Sequence, residues 1–236
     1  MKYMGSKNRI AKEILPIILK DRKENQYYVE PFCGGLGTFD KVSGLRIAND
    51  KNKYLIAMWK GLQENRPRPQ EISKELYSKA RTEFNNGTNI EFDDFMIGWI
   101  GFMGSFNGRF FDGGYNGAKT SSFIRQGIAN IEKQISSVIG AVFISMDYDK
   151  IDYPQKSIIY CDPPYYGTKG YSTSKDFNHS KFWQWCRDMT VKGHTVFISE
   201  YNAPNDFKCI WSKEVTNSMH TTNTSKPTER LFLYCA

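Results

Sequence analysis

Short apolar, β-branched or aromatic runs recur along the chain: YYVE (27–30), LRIAN (45–49), VFIS (142–145), SIIYC (157–161), TVFIS (195–199), KCIW (208–211) and LFLYC (231–235). Their hydrophobicity is continuous rather than alternating, which predicts strands covered on both faces, as in a largely parallel sheet. Segments of helical period lie between several of them. Ser6 is placed to cap a helix carrying Ile10, Ile14 and Ile17, with Pro16 expected to kink or shorten it. NKYLIAMWKGLQEN (52–65) sets Leu55, Met58, Trp59 and Leu62 on one stripe, and HSKFWQWCRDMTVKG (179–193) closes on Gly193 as a C-cap. Strands alternating with helices make this an α/β chain.

The middle of the chain breaks that alternation. After the proline-marked stretch ENRPRPQ (64–70) come helical patterns around 71–85 and 91–103. A loop rich in glycine and aromatics follows, and then Ile124, Ile128, Ile131 and Ile135 at helical spacing. Residues 61–140 therefore read as a helical insertion in an α/β domain made of 1–60 and 141–236.

At 236 residues and 40% hydrophobic, the chain can fill one sizeable core with an inserted subdomain. No window approaches the roughly 18 uninterrupted apolar residues of a membrane span, and no apolar stretch follows the early charges, so a soluble intracellular protein is expected. The five cysteines (Cys33, Cys161, Cys186, Cys209, Cys235) are scattered and never spaced C-x-x-C, which suggests reduced thiols rather than disulfides or a zinc site. The net charge of +7 favours an anionic partner such as nucleic acid. The excess is local: residues 1–25 hold seven Lys or Arg against three acids, whereas 61–140 hold nine against nine.

Three constellations can carry chemistry. EPFCGGLG (30–37) follows a predicted strand, and its glycines let the backbone turn tightly and approach a ligand. It does not match G-x-G-x-x-G, because Asp40 stands where the third glycine belongs, and it lacks a G-K-[ST] ending, so a pyrophosphate is a poor ligand. Asp50, at the tip of the next strand in IANDKN, is placed to accept both hydroxyls of a ribose or else to cap a helix. Read with the glycine loop one strand earlier, the ribose leads, and a nucleoside without phosphates fits both features. S-adenosylmethionine is a common cofactor of that description.

The third is DPPY (162–165), at the end of another predicted strand. Two prolines fix φ and remove two N–H donors, so the Pro163 carbonyl can project beside the Asp162 carboxylate. Two neighbouring acceptors suit an exocyclic amino group, and Tyr165 offers a flat face for stacking a base. The alternative is a Pro-Pro turn with an incidental acid. The place of the motif at a strand's carboxyl end, where α/β sheets bind ligands, favours the first reading.

Taken in order, KYMGSK (2–7), EPFCGGLG, the Asp of ANDKN, and DPPY followed by YGTKGY (166–171) resemble the DNA adenine-N6 methyltransferases, in the arrangement of their Dam-like alpha group. The resemblance takes in FISEYNAP (197–204) and the tail ERLFLYC (229–235). It implies a Rossmann-like, seven-stranded, mostly parallel sheet with a small helical target-recognition insertion, and S-adenosylmethionine as methyl donor with S-adenosylhomocysteine as product. No metal is implied.

Carried over by motif, Tyr3 and Lys7 would close over the cofactor, and Phe32, Gly34 and Gly35 would line its methionine side, with Glu30 counted among the cofactor residues. Asp50 would take the ribose hydroxyls. Lys51 would sit beside the adenine ring, where an aliphatic residue is more usual. Asp147 in SMDYDKI would accept the cofactor's adenine amino group, with Asp149 the other candidate.

Catalysis would rest on Asp162, Pro163, Pro164 and Tyr165, with Asp162 also reaching the cofactor. His179, His194 and His220 are expected to be structural or exposed. The partner implied is double-stranded DNA, from which the target adenine is flipped. Contact with DNA falls on GSFNGRFFDGGYNGAKT (104–120) and the residues after it, with Arg109, Tyr115, Asn116, Lys119 and Arg125 as candidates. There Phe110, Phe111 and Tyr115 either reach the bases or pack beneath a glycine-rich hairpin. Methylation of cytosine N4, of RNA adenine or of a protein amide is the enzymatic alternative. A DNA-binding regulator that has lost transfer is the other, and the intact DPPY argues against it.

Overall fold

The computed structural model describes residues 1–117, 123–167, 176–215 and 227–234. Lys119, His220, Cys235 and the TKGY of YGTKGY lie outside them. Seven strands form one sheet in the order β3-β2-β1-β4-β5-β7-β6. They are β1 (Tyr28–Glu30), β2 (Arg46–Asn49), β3 (Val142–Ile144), β4 (Ile158–Cys161), β5 (Thr195–Glu200), β6 (Phe207–Glu214) and β7 (Thr228–Tyr234). The first five run parallel, and β7 is antiparallel to both of its neighbours, β5 and β6. The seven runs read from the sequence are these seven strands. β1, β2 and β4 are buried along their whole length, which is why they lack alternation. This is the seven-stranded, mostly parallel α/β sheet that the resemblance implies.

The strand order reverses between β1 and β4, so the crevice outside their carboxyl ends is the natural ligand site. Glu30 and Glu200 end β1 and β5, and Asp50 and Asp162 directly follow β2 and β4. Four carboxylates therefore meet along one edge of the sheet. Asn49 ties two of the exits together: its Nδ2 donates to the carbonyls of Pro31 (2.9 Å) and Met146 (3.0 Å), and its Oδ1 accepts the Met146 N–H.

The helices are α1 (Ala11–Ile18), α2 (Lys53–Gln63), α3 (Lys74–Asn86), α4 (Asp94–Gly104), α5 (Phe123–Val138) and α6 (His179–Val191). The first differs from expectation. Ser6 caps a separate 3-10 turn, Lys7–Arg9, and α1 starts after it with Pro16 inside and Ala11, Ile14, Leu15 and Ile18 buried. A proline at the sixth position removes only one intrahelical bond, so an eight-residue helix survives it. The 3-10 turn aims Lys7 inward rather than along a helix surface.

Helices α3 to α5 lie in the chain between α2 and β3, and α4 is buried almost all round. Helices α2 and α4 cross at two glycines: a side chain at Gly98 would collide with the Tyr54 carbonyl, and one at Gly61 with the Phe95 ring. Among the described residues α3 to α5 share their core with the sheet. One apolar cluster runs from Ile14 and Tyr28 through Trp59 to Trp99, Phe102 and Ile131.

Candidate functional site

The glycine loop leaves β1 with Gly34 at φ 45°, a left-handed conformation that favours glycine. Its close approach is to the chain's own N-terminal segment. A Cβ at Gly34 would stand 2.7 Å from Tyr3 Cε1, and one at Gly35 would stand 2.5 Å from Tyr3 Cβ. Tyr3 thus lies over the loop. Trp59 supports the loop from α2, its Nε1 donating to the Gly34 carbonyl at 3.4 Å.

Asp50 reaches back to the same loop. Its Oδ2 accepts the Gly34 N–H at 3.1 Å and its Oδ1 the Asn52 N–H at 2.9 Å. The helix cap that competed for Asp50 belongs to Asn52, whose Oδ1 accepts from Tyr54 and Leu55 at the start of α2. Burial pushes the Asp50 carboxyl up to about 6, with the two N–H bonds pulling it back. A carboxylate has about four lone-pair sites, so two remain for hydroxyl donors.

Glu30 is 2% exposed, and its Oε1 accepts from the Tyr28 hydroxyl and from Thr38 Oγ1, both at 2.7 Å. Burial drives it up to about 8 against those two bonds. A buried carboxyl of that kind is complementary to a ligand's cation, which would return it to the ionised form. The Phe32 ring is half-buried among Tyr148 (5.4 Å), Phe177 and Phe182 (both 5.8 Å). Lys51 and Asp147 form an exposed ion pair at 2.9 Å across the tips of β2 and β3. The other candidate acid, Asp149, is likewise paired, with Lys181 of α6. The acceptor set fits a nucleoside with a cationic tail: Asp50 for ribose hydroxyls, Glu30 for an ammonium, and Asp147 or Asp149 for an exocyclic amino group.

At the exit of β4, Lys7 is 8% exposed, and its Nζ lies 2.9 Å from Asp162 Oδ1, 3.8 Å from Glu229 Oε2 and 4.5 Å from the centre of the Tyr165 ring. The Tyr165 hydroxyl donates to Glu229 at 2.7 Å, and the Tyr201 ring stands at 89° to that of Tyr165 with centroids 4.7 Å apart. Burial pushes the Asp162 carboxyl up to about 6, and Lys7 pulls it back. Burial also disfavours the Lys7 ammonium, but Asp162 and Glu229 together outweigh it and raise its pKa. Pro163 is buried, and its carbonyl accepts no hydrogen bond from any described residue. An acceptor pair and an aromatic face thus stand together.

Sequence reasoning missed Glu229 and Tyr201 as members of this site. Both lie in stretches that entered only as quoted resemblance, because nothing local marks a residue on β7 as a neighbour of one following β4.

The loop after α4 lies against the N-terminal segment, since a side chain at Gly108 would strike the Lys2 carbonyl. Arg109 is exposed on it and makes no ion pair or hydrogen bond through its side chain among the described residues. The aromatics take the packed alternative. Phe110 (7% exposed) and Phe111 (2%) sit against Phe84, Phe102 and Tyr77, so neither can reach a base as they stand. Tyr115 donates its hydroxyl to the Ile72 carbonyl at 2.7 Å, and the Asn116 N–H bonds the Gly104 carbonyl at 2.8 Å. Arg125 pairs with Glu71 at 2.8 Å on the surface. The ring left half in solvent is Phe106, 50% exposed and three residues from Arg109.

No curated protein matches the sequence significantly. Among solved structures, SMU.472 complexed with SAH is similar at 14% identity and a TM-score of 0.37, over 98% of this chain and 52% of that one. The present chain thus spans about half the length of that structure, and at such a score the likeness adds nothing to the fold described above. The family model of the D12 class N6 adenine-specific DNA methyltransferases matches residues 3–226, nearly the whole of the chain. With its parallel sheet, its glycine loop and its DPPY corner in the order of that family, the chain belongs to the D12 class N6 adenine-specific DNA methyltransferases.

Proposed function

We propose that the protein transfers a methyl group from S-adenosylmethionine to N6 of an adenine flipped out of double-stranded DNA. The observation that carries this is the corner formed by Asp162, Tyr165 and the Pro163 carbonyl, which accepts no hydrogen bond among the described residues, at the crevice between β1 and β4. The bound cofactor supplies an electrophilic methyl on a sulfonium. The chain's own residues do the rest.

An exocyclic amino nitrogen conjugated to its ring is a poor nucleophile. Asp162 and the Pro163 carbonyl accept its two N–H bonds, which favours a tetrahedral nitrogen and stabilises the positive charge that grows on it. Lys7 keeps Asp162 ionised at neutral pH. Tyr165, held by Glu229, offers the stacking face. Asp50, Glu30 and Asp147, with Tyr3 as cover, form the cofactor side, and Lys51 orients Asp147.

Residues 61–140 serve as the target-recognition part, with Arg109 and Phe106 facing the duplex from the loop that abuts Lys2. An exposed arginine without a side-chain partner among the described residues supplies phosphate or base-edge contact. Incubating the protein with labelled S-adenosylmethionine and unmethylated duplex DNA tests the reading. Label is expected in the DNA with the wild type and not with Asp162→Ala. Equal labelling by the two would contradict the assignment.

A further inference from the structure

Glu200, in the segment SEYNA, ends β5 and is 3% exposed. A carboxylate so placed is costly unless it is well bonded. Its partners are two backbone donors from two different loops. Oε2 accepts the Tyr166 N–H at 3.0 Å, and Oε1 accepts the Tyr201 N–H at 2.7 Å.

Those two peptide groups flank the aromatic corner: Tyr166 directly follows Tyr165, and the Tyr201 ring stands edge-to-face with that of Tyr165. From β7, where Arg230 is the register partner of Glu200, the Arg230 guanidinium takes the Tyr201 carbonyl, and Glu229 takes the Tyr165 hydroxyl. The loop leaving β4 and the loop leaving β5 are thus joined through one buried side chain. Tyr166 itself is 78% exposed, its ring edge-to-face with that of His179 at 5.3 Å.

We propose that Glu200 is the positioning residue of the base clamp: by accepting one backbone N–H from each loop, its carboxylate sets Tyr201 against Tyr165 and so fixes the face on which the target base stacks. The proposal rests on the methyltransferase reading above. The residue type is demanding. Glutamine has the length but presents one acceptor and one N–H₂ group, which cannot serve a second N–H donor. Aspartate has both acceptors but is one methylene short of spanning the loops.

The test compares the wild type, Glu200→Gln and Glu200→Asp for S-adenosylmethionine binding, thermal midpoint and steady-state transfer to unmethylated duplex DNA. Both variants are expected to lose kcat by about tenfold to hundredfold, the cost of misplacing a reacting group by an ångström or less. Cofactor affinity should stay within about twofold, because Asp50 and Glu30 follow or end other strands. Tyr201→Leu, which removes the ring that Glu200 places, is expected to reproduce the loss of kcat with the Glu200 bonds intact.

Transfer by Glu200→Gln at the wild-type rate, full activity in Tyr201→Leu, or a fall in cofactor affinity that parallels the fall in kcat would each overturn the proposal. A wild type that transfers no methyl group would strike the methyltransferase reading and the proposal with it. An active wild type beside an unimpaired Glu200→Gln would strike the proposal alone.

Discussion

In the proposed reaction Asp162 acts as an acceptor, from a position where its side chain is 22% exposed. Burial lifts its pKa to about 6, so the ionised form dominates at neutral pH but is lost within the accessible acid range. The rate of transfer is therefore expected to fall as pH drops through about 6, when the protonated acid loses a lone pair to the proton. Lys7 holds that pKa down, so Lys7→Met should move the acid limb to higher pH, measured as kcat against pH with saturating cofactor. On the cofactor side, Asp50→Ala removes the acceptor for two hydroxyl donors. The dissociation constant for S-adenosylmethionine should rise by about tenfold to hundredfold, in line with 1.5–3 kcal/mol for a hydrogen bond to a charged group.

At this scale the sequence spoke through motifs and fell silent elsewhere. Asp50 and the DPPY corner stood out because unusual residues follow apolar strands. Glu229 and Tyr201 did not, because their partners are distant in the chain and only the sheet order brings β5, β7 and the exit of β4 together. Arg109 kept its expected exposure, whereas Phe110 and Phe111 were taken by the core, a choice that composition alone left open.

Among the elements, the α2–α4 crossing has the least tolerance. A Cβ at Gly98 meets a backbone carbonyl, which cannot swing aside as a side chain does. Gly98→Ala should destabilise the fold by about 1–3 kcal/mol, seen in chemical denaturation, while Gly87→Ala, at a left-handed helix end with open space around it, is limited to backbone strain. On the proposed reading, the loop after α4 carries recognition. Arg109→Ala is expected to weaken DNA binding, with the slope of log affinity against log salt reduced by about one, and to leave cofactor affinity unchanged.

The helical period of α2, α4, α5 and α6 was plain in the sequence, since each buries a stripe or more. The start of α1 was not. Whether Ser6 caps an α-helix or a 3-10 turn depends on Lys7 being drawn inward by Asp162 and Glu229, a tertiary pull with no local trace.

For the molecule as a whole, the crowding of carboxyls along one sheet edge has a thermodynamic signature. Asp50 and Asp162 stand at about 6, Glu200 at about 7 and Glu30 at about 8, all above the ordinary carboxylate range because of burial. The folded chain therefore binds more protons through them than the unfolded chain does between about pH 4 and pH 8. Their contribution to stability falls as pH rises through that window. His179 and His194, whose pKa values burial lowers, act in the opposite sense below about pH 6.5. The comparison that isolates the largest carboxyl shift is the wild type against Glu30→Gln. The loss of thermal midpoint between pH 6.5 and 8.5, without cofactor, should be smaller in the variant.

The parallel sheet and the order of its loops were legible because buried strands write themselves as unbroken apolar runs. That the insertion shares a core with the sheet was not, since helical period shows which face is apolar and not what it meets.

The central claim is that this edge of the sheet methylates the amino group of adenine. The direct measurement is nucleoside analysis by mass spectrometry of unmethylated duplex DNA after incubation with the protein and isotope-labelled S-adenosylmethionine. The label is expected in N6-methyladenine and nowhere else. Label in N4-methylcytosine, or DNA left unlabelled by a folded protein that binds the cofactor, would contradict it.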